Sequence, residues 1–170
     1  MGLIERAEEF ATAAHLGQPR KWSKEPYICH PRRVAEAAAA LGMSEEAIAA
    51  AWLHDVLEDC KVSLKKIIEE FGPRVGKLVF LLSDLRSPAV GNRAMRKALY
   101  LDDLAGSDDA EVHTLKMLDA CDNAPSIRAA VPKFWLTYSK EVRSYLTRLF
   151  RAHPRVQQRL KAILLEEITP

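Results

Sequence analysis

Residues 47–59 read Ala47-Ile48-Ala49-Ala50-Ala51-Trp52-Leu53-His54-Asp55-Val56-Leu57-Glu58-Asp59. Seven apolar residues run straight into four ionisable ones. Ser44, followed by Glu45 and Glu46, is a good N-terminus for a helix here, because a hydroxyl caps free N–H groups and carboxylates complement the dipole. That helix is predicted to continue through Trp52 to about Leu57. On it His54 and Glu58 are four apart, as are Asp55 and Asp59, so each pair shares a face. Adjacent His54 and Asp55 can share an ion, with two carboxylates one turn further on. Burying such groups unpaired is costly, and a divalent cation offsets that cost. A solvated helix end with capping carboxylates is the plainer alternative, and a lone His-Asp pair leaves both open.

Outward from this stretch the pattern is helical in both directions. Leu3, Ile4, Ala7, Phe10, Ala11 and Ala14 recur at helical spacing. Gly17, Pro19 and Pro26 mark a loop of about fifteen residues, long for a compact domain and often functional at that length. Pro31 is suited to open a second helix to Leu41, with Gly42 as its stop. Ser63 caps a helix ending at Phe71-Gly72, and Pro73 opens another through Leu82. Further helices are expected over Arg93–Leu104 and Asp109–Asn123, where Pro125 should end or kink the chain. Two more are expected near Thr137–Arg151 and Pro154–Glu167. No period-2 strand, repeat or linker is evident.

Composition agrees. Of 170 residues, 48% are hydrophobic and 28% charged, the ordinary globular balance. Aromatics are only 7% while Ala, Leu, Glu, Lys and Arg abound, which favours helix over sheet. The chain therefore reads as one all-α domain over residues 1–170. Net charge is +2, too mild for a dedicated nucleic-acid binder. No apolar run approaches the ~20 residues a bilayer requires. Glu5, Glu8 and Glu9 interrupt the N-terminal stripe, unlike a secretory signal. Cys29, Cys60 and Cys121 are odd in number and widely spaced, which argues against a disulfide framework and suggests a reducing, cytoplasmic setting.

Two other segments carry chemistry. His30 precedes Pro31 and stands 24 positions before His54; two imidazoles and Asp55 from neighbouring helices begin an N/O metal site. Asp119 lies in the apolar run Leu115-Lys116-Met117-Leu118-Asp119, four residues before Asn123, so carboxylate and amide share a face. His113 and His153 lack partners and read as surface residues. His15 reads as support for the loop. Trp135, Tyr138 and Tyr145 read as packing.

Together the segments Ala14-His15-Leu16-Gly17-Gln18-Pro19-Arg20-Lys21, Glu25-Pro26-Tyr27-Ile28-Cys29-His30-Pro31, Ala51 through Asp59, Phe71-Gly72 and Lys116-Met117-Leu118-Asp119 with Asn123 resemble the hydrolase domain of the RelA/SpoT family. That family lies within the HD-domain metal-dependent phosphohydrolases, and the resemblance is closest to small alarmone hydrolases. It spans residues 5–128 in order; the closing helices at 137–167 match only as helices.

The resemblance implies an HD-domain helical bundle with one divalent metal, manganese, held by His30, His54, Asp55 and Asp119. It implies that Glu58 and Asp59 activate or position the attacking water. Arg20, Lys21 and Asn123 match nucleotide-contacting positions. Arg93, Arg96 and Lys97 match a helix that supplies cations near phosphates, and Tyr138 matches a nucleotide-contacting Tyr across a gap. The activity implied is removal of the 3′-pyrophosphate of guanosine 3′,5′-bis(diphosphate), ppGpp, giving GDP. The partner implied is a small-molecule nucleotide; the mild charge and short apolar runs lead one to expect no nucleic acid and no membrane, the length leads one to expect no synthetase half, and a homo-oligomer stays open.

Three departures fall where relatives contact nucleotide: Ala120 and Pro125 replace basic residues, and Trp22-Ser23-Lys24-Glu25 lacks the family's Gly. Hydrolysis of another phosphate (NADPH, a deoxynucleoside triphosphate or a monoester) and a non-catalytic nucleotide sensor are the alternative readings.

Overall fold

A computed structural model describes residues 1–166. They form two compact units: Met1–Arg20 with Lys24–Ala89, and Lys21–Ser23 with the chain from Val90 onward. Among the described residues the structure is helical, with a single isolated bridge, Pro19 to Pro26, in place of any strand. No helix among them is long and apolar enough to cross a membrane.

The first unit is built on α3 (Glu45–Leu53), which packs against α1 (Leu3–Ala14), α2 (Cys29–Ala40) and α5 (Leu64–Leu82). Every α3 residue from Ala47 to Leu53 is buried. Its small alanines let three neighbours approach, while Trp52 and Leu53 fill the remaining space. Ser44 accepts the Ala47 N–H at 3.1 Å, as the sequence leads one to expect. Ser63 likewise caps α5. Gly72 sits inside α5 at φ +88°, ψ +167°, so the helix is two pieces joined at Gly72-Pro73. The proline needs no hydrogen bond where a helix begins.

The second unit is arranged around α7 (Ala110–Ala130), against which α6 (Arg93–Ala105), α8 (Pro132–Arg148) and α9 (Pro154–Leu165) pack. Asn92, Asp109 and His153 cap α6, α7 and α9 through their side chains.

Five expectations are corrected. The helix from Ser44 does not run through His54: α3 stops at Leu53 and a new single turn, α4 (Val56–Asp59), follows. The Glu58 N–H bonds the Asp55 carbonyl, and the His54 carbonyl accepts from the Ser83 hydroxyl at 3.2 Å instead. Pro125 does not end α7, which reaches Ala130. One backbone bond is lost there, but Ala124 and Ile127 are buried on either side. Arg128 also ties the segment to the Ile163 carbonyl and to Glu166. α8 begins at Pro132, five residues before Thr137, because proline suits a first turn. α2 begins at Cys29 rather than Pro31. His113 is wholly buried, its Nε2 donating to the Leu104 carbonyl at 2.9 Å, and His153 is half-buried at its cap. Of the last predicted helix, Glu167 lies outside the described residues.

Candidate metal centre

Three elements of the first unit deliver the site. His30 is the second residue of α2, His54 caps the C-terminus of α3, and Asp55 precedes α4. Packing of α2 on α3 brings the imidazoles together edge to face, with ring centroids 5.1 Å apart. Their Nε2 atoms are 3.2 Å apart. Asp55 Oδ2 is 3.1 Å from His54 Nε2 and 3.6 Å from His30 Nε2. His30 and His54 are only 1% and 3% exposed.

The hydrogen bonds fix the chemistry of these atoms. His54 Nδ1 lies 2.7 Å from the Ala51 carbonyl, which can only accept. Nδ1 therefore carries a proton, and in the neutral ring Nε2 is the lone-pair atom that faces His30 and Asp55. Two buried ring nitrogens and a half-buried carboxylate oxygen this close together favour positive charge between them. A proton on His30 satisfies one contact; a divalent cation satisfies all three. Two imidazoles and a carboxylate are the donors such metals take, and an outer carbonyl holding the far nitrogen is the usual support. The cluster thus fits a divalent metal.

Tyr27 completes the surroundings. Its hydroxyl donates to Asp55 Oδ2 at 2.7 Å, and its ring stacks on His15 at 4.6 Å and meets His30 edge-on. Burial, then the charges of Asp55 and Asp59, push the phenol far above its ordinary pKa, so it remains a donor.

Glu58 and Asp59 are exposed one turn later. Glu58 Oε1 accepts the Asp84 N–H at 2.7 Å, and Asp59 Oδ2 lies 3.4 Å from Gln18 Nε2.

The predicted basic loop is a pinned hairpin. The Arg20 N–H donates to the Glu25 carbonyl and the Tyr27 N–H to the Gln18 carbonyl, both at 2.8 Å. Glu25 receives both terminal nitrogens of Arg33. Arg20 is buried, its guanidinium 5.7 Å from the Tyr27 ring centre. The Lys21 ammonium lies 4.5 Å over Trp22.

In the second unit Asp119 is buried and accepts from Lys116 Nζ at 2.8 Å and from Asn123 Nδ2. Burial alone would lower the Lys116 pKa; Asp119, Tyr100 and Tyr145 more than offset it and hold it well above the ordinary range. Burial and then Asp119 raise the Tyr138 phenol likewise. Arg93 makes a two-pronged pair with Glu141, at 2.9 and 2.8 Å, over the Phe134 ring. Arg96 donates to the Gly91 carbonyl. Both predicted phosphate-binding arginines therefore have partners within their own unit.

Sequence reasoning assigned no role to Tyr27, Ser83, Lys116 or Glu141. Tyr27 and Lys116 lay inside recognised motifs. Ser83 and Glu141 act on residues distant in sequence, and nothing in their neighbours signals it.

A family model described as HD domain matches residues 7–144. The guanosine-3′,5′-bis(diphosphate) 3′-pyrophosphohydrolase of Aquifex aeolicus is 41% identical over 127 residues, covering 73% of this chain and 18% of that protein. A probable GTP pyrophosphokinase of Mycobacterium leprae is 35% identical over 133 residues, covering 78% of this chain and 17% of that one. The chain thus spans under a fifth of the length of these relatives. Among solved structures, a metazoan ortholog of SpoT that hydrolyses ppGpp superposes with a TM-score of 0.86 at 23% identity, covering 99% of this chain and 97% of that one. A Listeria monocytogenes protein superposes at 0.68 and 21% identity, covering 84% and 96%. At those identities the superpositions establish a shared fold.

Proposed function

The chain belongs to the HD-domain family, and from that premise we propose that it is a metal-dependent phosphohydrolase that cleaves the 3′-pyrophosphate from ppGpp, leaving GDP. The observation that carries the reading is the convergence of His30, His54 and Asp55 on one point, with His54 Nδ1 held by the Ala51 carbonyl and Nε2 turned toward the cluster. The 41%-identical pyrophosphohydrolase supports the choice of substrate. We assign manganese as the metal and Asp119 as a further ligand on the family resemblance.

When bound, the cation supplies Lewis-acid charge: it acidifies water and offsets negative charge at phosphorus. His30, His54 and Asp55 hold that charge, and Tyr27 keeps the Asp55 carboxylate turned toward the imidazoles. Glu58 and Asp59 are the bases available to take a proton from water. The Asp84 backbone N–H already orients the Glu58 carboxylate for that task. Arg20 and Lys21 suit the phosphates and base of the nucleotide: both cations rest against aromatic faces, which limits their freedom before binding. Asn123, Arg93, Arg96 and Tyr138 are the further nucleotide contacts proposed. For Arg93 this requires sharing the guanidinium with Glu141. The three free thiols suit a reducing cytoplasm.

The test is to strip the protein with chelator, restore manganese, add ppGpp and follow GDP and pyrophosphate by chromatography. Metal-dependent release of both, abolished in Asp55→Asn, is expected. Full activity in a metal-saturated Asp55→Asn protein refutes the metal assignment. Binding of manganese without ppGpp turnover refutes the substrate.

A further inference from the structure

Tyr27 is the residue on which the loop and the metal cluster meet. Its hydroxyl donates to Oδ2 of Asp55, the same oxygen that lies 3.1 and 3.6 Å from the two imidazole nitrogens. Its ring is clamped on one face by His15, stacked at 4.6 Å with 20° between planes. The edge of its ring system meets His30, and the buried Arg20 guanidinium stands 5.7 Å from the ring centre. The Tyr27 backbone N–H is bonded to the Gln18 carbonyl, and His15 Nδ1 is 2.8 Å from Gln18 Oε1. Ring, hydroxyl and backbone are therefore each fixed by a different partner.

Asp55 needs such a restraint. It lies between α3 and α4, at φ −100°, ψ −6°, outside both helices. Its carboxylate is half-buried, with 19% of its side chain exposed, where the two imidazoles are almost fully enclosed. Of the three clustered groups it is the most exposed.

We propose that Tyr27 is a positioning residue that holds the Asp55 carboxylate in its metal-binding rotamer through the Tyr27 hydroxyl, and so sets the affinity of the centre for a divalent cation. The inference rests on the metal reading above and goes beyond it by naming what sets the strength of the site. Tyr27 is assigned to act through Asp55 and not as a ligand itself.

The experiment titrates manganese into the chelator-stripped full chain, by calorimetry, for wild type and Tyr27→Phe. The phenyl ring keeps its stacking on His15, so the metal-free melting temperature should stay close to wild type. Loss of an outer-shell hydrogen bond to a ligand weakens metal binding about 10- to 100-fold, and that weakening is expected here. Affinity in Tyr27→Phe within about twofold of wild type overturns the inference and leaves the metal reading standing. Absence of manganese binding by wild type overturns both. A fall in metal-free melting temperature with unchanged affinity marks a purely structural role and also overturns it. Should Tyr27→Phe not fold, 3-fluorotyrosine at position 27 replaces it, retaining ring and hydroxyl but altering donor strength. A shifted affinity then supports the inference, and an unchanged one overturns it.

Discussion

Adding a divalent metal should raise the melting temperature of the chelator-stripped chain, and removing one imidazole should abolish that rise. Bringing His54 Nε2, His30 Nε2 and Asp55 Oδ2 together, with the two rings at most 3% exposed, carries a desolvation cost. A cation relieves that cost in the folded chain and finds no such arrangement in the unfolded one. At a free metal concentration a hundred times the dissociation constant, the linkage is worth about 2.7 kcal/mol. For a chain of this size each kcal/mol moves the midpoint by about 2–4 °C, so a rise of about 5–11 °C is expected. The assay is differential scanning fluorimetry with manganese against chelator, for wild type, His54→Ala and Glu58→Gln. His54→Ala also opens a cavity and lowers the baseline, so the quantity read is the difference that metal makes within each protein. That difference should vanish in His54→Ala. It should persist in Glu58→Gln, because Glu58 is exposed and its Oε1 is engaged with the Asp84 N–H rather than with the cluster. A full metal-dependent rise in His54→Ala, or none in wild type, refutes the reasoning.

Two predictions concern the frame of the site. Gly72→Ala places a side chain at φ +88°, ψ +167°, a region open essentially to glycine alone, although no heavy atom beyond the adjoining backbone and chain neighbours lies within 4 Å of the added carbon. The cost is backbone strain of about 1–3 kcal/mol, read as a lower urea midpoint with unchanged slope; unaltered stability would show that the bend in α5 relaxes freely. Burial, the largest cause, pushes the Cys121 thiol up from its ordinary 9.0 to about 12. Its thiolate fraction at pH 8 is then about a thousandfold below that of an ordinary thiol, and its alkylation by iodoacetamide should be slower by a similar factor. Because the pKa is raised, reactivity should keep climbing as pH rises beyond 9 instead of levelling off. Labelling of Cys121 in the folded chain at the rate of the denatured chain counts against this.

Much of the helical frame is visible in local chemistry. Leu3–Ala14 follows from spacing alone, the Ser44 and Ser63 caps from hydroxyls ahead of apolar runs, and the Gly72-Pro73 joint from one residue that tolerates positive φ beside one that needs no N–H. Where local reading fails, a distant partner has intervened. Propensity places Pro125 at the end of a helix, yet the burial of Ala124 and Ile127 and the bonds of Arg128 to α9 carry the helix past it. An isolated histidine reads as solvated, yet the Leu104 carbonyl, nine residues before His113, holds that ring in the interior. No pattern within α7 contains that information.

The break between α3 and α4 is the most instructive of these failures, because it falls at the residues that carry the chemistry. In an unbroken helix successive side chains diverge by roughly 100°, which would point His54 and Asp55 in different directions. The sequence suggests that both share an ion on an intact helix, and those two expectations conflict. The structure resolves the conflict by giving up the helix. Ser83 takes the His54 carbonyl from 29 residues away, Tyr27 takes the Asp55 carboxylate from 28 residues away, and the chain turns between them. His54 Nε2 and Asp55 Oδ2 then meet at 3.1 Å. A sequence that obeyed its local helical preference through residue 57 would pack well around α3 and lose the convergence. Departure from local preference at a functional position, held by hydrogen bonds from elsewhere, is what is expected where stability has been traded for chemistry.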